Sequence, residues 1–93
     1  MIYILVYDVS DDDIRDKVRE LIKNWGGIRF QYSAFMIDLS EIELNELLKI
    51  SARLISDCRG NVVAIPICKR DLDKLIILGN SNIECEVESD LIV

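Results

Sequence analysis

Histidine is absent from this chain. Its absence excludes Ser-His and Cys-His nucleophile systems and every metal site built on imidazole, so carboxylates must carry any acid–base or metal chemistry. Cysteine is scarce: Cys58, Cys68 and Cys85 are odd in number and lack C-x-x-C spacing, which reads as reduced thiols filling small positions. No apolar run approaches the ~20 residues of a membrane span, so no membrane association is expected. The opening MIYILVYD has no basic segment ahead of its apolar run, and Asp8 stops that run. A secretory leader is therefore not expected, and a cytoplasmic protein is. No glycine-rich ligand loop is present, and there are no repeats or linkers.

What the chain does have is aliphatic bulk. Hydrophobic residues make up 51% of the 93 positions, mostly Ile, Leu and Val, with one Trp, three Tyr and two Phe. One domain of this size has little interior, so the surplus points to a buried self-association surface and a homodimer. The net charge of −6 argues against nucleic-acid binding until its distribution is considered. Residues 80–93 carry Glu84, Glu86, Glu88 and Asp90 and no base. From Arg15 to Arg29, by contrast, Arg15, Lys17, Arg19, Lys23 and Arg29 outnumber Asp16 and Glu20. That basic stretch is either a phosphate-facing patch or a solvated helix face.

Met1 to Tyr7 reads as a central strand buried on both faces. Ser10 with Asp13, flanked by Val9 and Ile14, marks a helix start; Ile14, Val18, Leu21, Ile22 and Trp25 recur at helical spacing, and Gly26-Gly27 stops it. Ile28 to Leu39 is either one kinked strand or two short strands meeting near Tyr32-Ser33. Ser40 and Glu43 form a capping box for a second helix with a Leu44, Leu47, Leu48 and Ile55 stripe, closed by Arg59-Gly60-Asn61. Val62 to Cys68 is a strand whose Pro66 requires a sheet edge. Leu75 to Leu78 reads as a further short strand, and the acid–apolar alternation of Ile83 to Val93 as an exposed strand or tail. The expected fold is therefore α+β: a ferredoxin-like sandwich (βαββαβ) over residues 1–79, with an antiparallel sheet, an additional C-terminal strand and an acidic tail at 80–93. Both helices then cover one sheet face, and a second copy would cover the other.

Asp8 is the most suggestive single position, a carboxylate closing an apolar central strand. It either caps the following turn or contributes to a metal site; alone it is too few oxygens for a hard cation, and a two-fold axis would supply a second copy. The segments VYDVSDDDIRDKV, WGGIRFQYSAF, VVAIPIC and LIILG, in that order and spacing, resemble the CRISPR-associated protein 2 family over residues 1 to about 79. The resemblance implies that Asp8 is the metal-binding carboxylate, paired with its dimer mate around Mg²⁺ or Mn²⁺, with Tyr7 beside it as a catalytic position. It further implies nucleic-acid contact at Arg15, Arg29 and Phe35, and a polar position near the dimer cleft at Ser33. Lys17 and Arg19 belong to the same basic helix; Lys17 stands where some members carry Arg and so lacks the bidentate fork. Ala34 replaces a common Val.

Plainer readings stand beside these. Arg15 can pair with Asp11 or Asp12, Phe35 can fill the core or an interface, Tyr7 can be structural and Ser33 can make a turn. Three functions follow. One is a metal-dependent endonuclease acting on RNA or DNA. Another is an adaptor in spacer acquisition, which bridges copies of the CRISPR-associated protein 1 integrase, holds nucleic acid and docks its tail on that partner. The third, independent of the resemblance, is a ferredoxin-like regulatory domain binding a small ligand at a dimer interface.

Overall fold

The computed structural model describes residues 1–79; the expected tail strand at 80–93 lies outside the described residues. The elements are β1 (Ile2–Val9), α1 (Asp12–Asn24), β2 (Ile28–Gln31), β3 (Ala34–Asp38), α2 (Glu41–Leu54), β4 (Gly60–Ile67) and the short α3 (Lys69–Leu72). The four strands form one antiparallel sheet in the order β2-β3-β1-β4. The stretch from Ile28 is thus a hairpin, turned at Tyr32-Ser33, with an irregular register between Arg29 and Gln31. Among the described residues Pro66 lies on β4 at the sheet edge, where its missing N–H leaves no central ladder broken.

β1 is central but not buried on both faces. Tyr3, Leu5, Tyr7 and Val9 are buried, while Ile2, Ile4, Val6 and Asp8 are half-buried or exposed. Side chains alternate across a strand, so the odd positions meet Phe35 and Ile37 of β3 on the helical side. Val18 and Ile22 of α1 and Leu44 and Leu47 of α2 complete that core. Leu5, Ile22, Phe35 and Leu47 have no exposed surface, and each contributes roughly 1.5–3 kcal/mol by burial. Ser51, the buried polar residue of α2, donates back to the Leu47 carbonyl at 2.8 Å.

The opposite face is partly covered from within the chain. Phe30, Ala34 and Met36 form a second cluster against Ile4, Leu72, Leu75 and Ile77. α3 and the residues after it therefore lie over the β2–β3 side. The stretch Leu75–Leu78, expected as a strand, makes only an isolated bridge at Ile77 among the described residues. Towards β4 the face stays open, with Val63 46% and Ile65 45% exposed beside Val6.

The helix ends follow local chemistry with two corrections. α2 carries the Ser40–Glu43 capping box, with Ser40 N–H donating to Glu43 at 2.9 Å and Glu43 N–H to Ser40 Oγ at 3.1 Å. It ends at Leu54 with Ile55 as its cap, earlier than the Arg59-Gly60-Asn61 stop, and Gly60 and Asn61 instead open β4. α1 is capped by Asp11, which accepts from Ile14 N–H at 2.9 Å, and not by Ser10. Ser10 Oγ is committed elsewhere, donating to the Arg59 carbonyl at 2.9 Å. Gly26 leaves α1 with φ of 99°, a conformation costly for other residues.

Candidate functional site

Tyr7 and Asp8 are neighbours in sequence and therefore point to opposite faces of the sheet. On the helical side, Tyr7 is buried and its ring stacks on Phe35 with centroids 6.2 Å apart. Its N–H donates to the Ser33 carbonyl at 3.1 Å, and its hydroxyl reaches the Tyr32 carbonyl at 3.5 Å. Burial pushes the Tyr7 phenol above its usual range, opposed by the positive charges of Arg29, Arg19 and Arg15. Those arginines thus share one electrostatic neighbourhood.

Each of these arginines also has local partners. Arg15 donates to the Val9 carbonyl at 3.3 Å and pairs with Asp12. Arg19 pairs with Asp16 at 2.9 Å and lies 3.8 Å from Glu20. Arg29 donates to the Tyr32 carbonyl through Nε at 3.2 Å and Nη2 at 2.8 Å, and its guanidinium sits 5.0 Å from the centre of the Tyr32 ring. Arg15 and Arg19, four residues apart, share a helix face. Lys17 does not join them. It lines a groove of about 460 Å³ between α1 and α2 with Leu21, Ile50 and Leu54.

Phe35 has no exposed surface, so its ring belongs to the core and offers no stacking face in this chain. The exposed aromatic beside Arg29 is Tyr32, at 64% exposure. By sequence alone Tyr32 marks only the place where two short strands meet. The available signal was its spacing from Arg29 across a short hairpin, which becomes meaningful only once the hairpin is known.

On the other face, Asp8 is exposed and lies directly across from Asn61 of β4. A polar cleft of about 410 Å³ opens there, lined by Asp8, Ser10, Arg59, Gly60 and Asn61. Gly60 lets the two strands close: a Cβ at that position would meet the Asp8 carbonyl oxygen at 2.7 Å. One carboxylate, with only neutral oxygen donors beside it and an arginine nearby, does not satisfy a hard divalent cation. Among the described residues no cluster of three or more acidic or cysteine side chains is suited to hold one. No helix among them is long and apolar enough to cross a membrane.

A four-stranded antiparallel sheet with two helices on one face and an acid near the end of its central strand defines a small α+β protein. The family model described as CRISPR associated protein Cas2 matches residues 1–75, and the chain belongs to that family. The chain is 32% identical over 84 residues to "CRISPR-associated endoribonuclease Cas2 1" of Archaeoglobus fulgidus, covering 90% of this chain and 89% of the relative. It is 30% identical over 73 residues to the "CRISPR-associated endonuclease Cas1/endonuclease Cas2 fusion" of Thermoproteus tenax, covering 78% of this chain and 28% of the fusion. A crystal structure of a hypothetical protein from Thermus thermophilus superposes with a TM-score of 0.66 at 31% identity, over 72% of this chain and 80% of that one.

Proposed function

We propose that this chain is a ferredoxin-like, homodimeric subunit acting in spacer acquisition, where it binds nucleic acid and bridges the Cas1 integrase, with endonuclease activity at Asp8. The observation that carries the nuclease part of the reading is the exposed Asp8 near the end of the central strand, on the sheet face that is apolar towards β4. The strand order β2-β3-β1-β4, with both helices packed on one face, supports the ferredoxin-like assignment. The open aliphatic strip of Val6, Val63 and Ile65 supports a dimer through that face. The fusion of the two names in the Thermoproteus tenax relative supports association with Cas1, and the endoribonuclease named in Archaeoglobus fulgidus supports a nuclease.

Since one chain supplies one carboxylate, the Mg²⁺ or Mn²⁺ requires two copies whose Asp8 side chains meet near a two-fold axis. The two Asp8 carboxylates would hold such a cation, and the chemistry it would supply there is polarisation of a phosphate and activation of a water. Arg15, Arg19 and Arg29 supply phosphate contacts in this reading, Lys17 lies apart from them in the α1–α2 groove, Ser33 and Tyr7 shape the turn beside Arg29, and Tyr32 offers the exposed aromatic contact that the buried Phe35 cannot. The adaptor function does not depend on Asp8, and the lone carboxylate favours it as the main role.

Labelled RNA and duplex DNA incubated with Mg²⁺ or Mn²⁺, with light scattering run in parallel, test the reading. The parent should be a dimer and cleave one substrate. Asp8→Asn should abolish cleavage while leaving the dimer mass, the melting temperature and integrase binding unchanged. Cleavage that survives the substitution or excess chelator would remove the metal mechanism, and a stable monomer at micromolar concentration would remove the dimer.

A further inference from the structure

The ladder between β1 and β4 runs Tyr7↔Val62, Asp8↔Asn61 and Val9↔Gly60. It continues one step past both strands, because Ser10 N–H donates to the Arg59 carbonyl at 2.9 Å. Ser10 therefore lies opposite Arg59 in the same register. Side chains two apart share a face, so the pairs Asp8/Asn61 and Ser10/Arg59 are consecutive neighbours on one side of the sheet. The polar cleft is lined by these same four residues and Gly60.

Arg59 is held at its backbone, and its side chain is exposed. Its carbonyl accepts from both the N–H and the Oγ of Ser10, each at 2.9 Å. The small Gly60 next to it brings β4 against Asp8. Among the described residues, neither Arg59 nor Asp8 takes part in an ion pair, although both line one cleft. Arg15 and Arg19, in contrast, are both ion-paired. The guanidinium available at the acid's own cleft thus comes from the α2–β4 connection, and not from α1.

We infer that Arg59, flanked by Ser10 and Asn61, is a phosphate-binding residue that seats a nucleic-acid backbone phosphate in the Asp8 cleft. The inference rests on the nucleic-acid reading above and deepens it by naming a contact on the open face. A guanidinium presents parallel N–H donors matched to phosphate oxygens, and the Asn61 amide adds a neutral donor. Asp8 repels an anion, so the phosphate sits at the Ser10–Arg59 end and the acid faces the adjoining part of the backbone.

The test is binding of a fluorescent duplex DNA in chelator, over a salt series, with parent, Arg59→Ala, Arg59→Lys and Lys49→Ala proteins. Lys49 is exposed on α2, away from the cleft, and controls for the loss of one positive charge. Arg59→Ala should weaken binding several-fold at ~0.1 M salt and reduce the log–log salt slope by about 0.9, the value for one lost phosphate contact. Arg59→Lys should keep the slope, and Lys49→Ala should match the parent. A parent that binds no DNA overturns the nucleic-acid reading itself. A parent that binds, with Arg59→Ala unchanged or no weaker than Lys49→Ala, leaves that reading standing and overturns the role of Arg59.

Discussion

Replacing Gly60 by alanine should damage fold and cleft together, through one added methyl group. The new Cβ would lie 2.7 Å from the Asp8 carbonyl oxygen, 3.1 Å from Val9 Cα and 3.3 Å from Val9 Cγ2. Two of these contacts are backbone atoms, so no rotamer change relieves them. β4 must instead move away from β1 by about 0.8 Å at the closest contact, with van der Waals contact between such atoms normally near ~3.5 Å. That displacement falls on the last rungs of the β1–β4 ladder, Asp8↔Asn61 and Val9↔Gly60. Overpacking of this kind costs about 1–3 kcal/mol. In a domain of this size each kcal/mol moves the melting temperature by about 4–8 °C. Circular dichroism melts at one fixed protein concentration, which holds any association constant, should show the loss. Gly26→Ala is the informative comparison, because nothing lies within 4 Å of its Cβ and its φ of +99° is the only obstacle. A Gly60→Ala protein within about 0.5 kcal/mol of the parent would refute the close-approach argument, since surface changes without such a mechanism stay inside that range.

Phe35→Ala should cost about 3–5 kcal/mol, because the ring is fully buried against Tyr7 and the helices; loss of nucleic-acid binding at unchanged stability would return Phe35 to the interface. Tyr7 gives a pH signature. Burial raises its phenol above 10.0, so its contribution is complete below that value and fades as the pH climbs through the higher folded-state value. Urea titrations at about pH 9 and pH 11 should show a smaller loss for Tyr7→Phe than for the parent, and equal losses would refute the burial argument.

Local pattern alone determined much of this protein. The Ser40–Glu43 box, the Gly26-Gly27 stop, the edge position required by Pro66 and the burial of Leu44 and Leu47 all follow from interactions within a few residues or from a fixed repeat. Family membership was legible in the same way, because it rests on the order of segments along the chain. The choice between Ser10 and Asp11 as a cap was not local: Arg59, distant in sequence, claims the Ser10 hydroxyl. Period-two alternation could have separated Tyr7 from Asp8, but an all-apolar run hides which side faces the helices until α1 and α2 are packed. Lys17 was separable from Arg15 and Arg19 by helical period, whereas the neighbourhood that joins the arginines to Tyr7 needed β2 folded beside β1 through β3. The polar cleft was decided by tertiary structure alone. Asp8 and Ser10 meet Asn61 and Arg59 only through the pairing register of β1 with β4, and that register is set by burial of Leu5, Tyr7 and Val9 on the helical face.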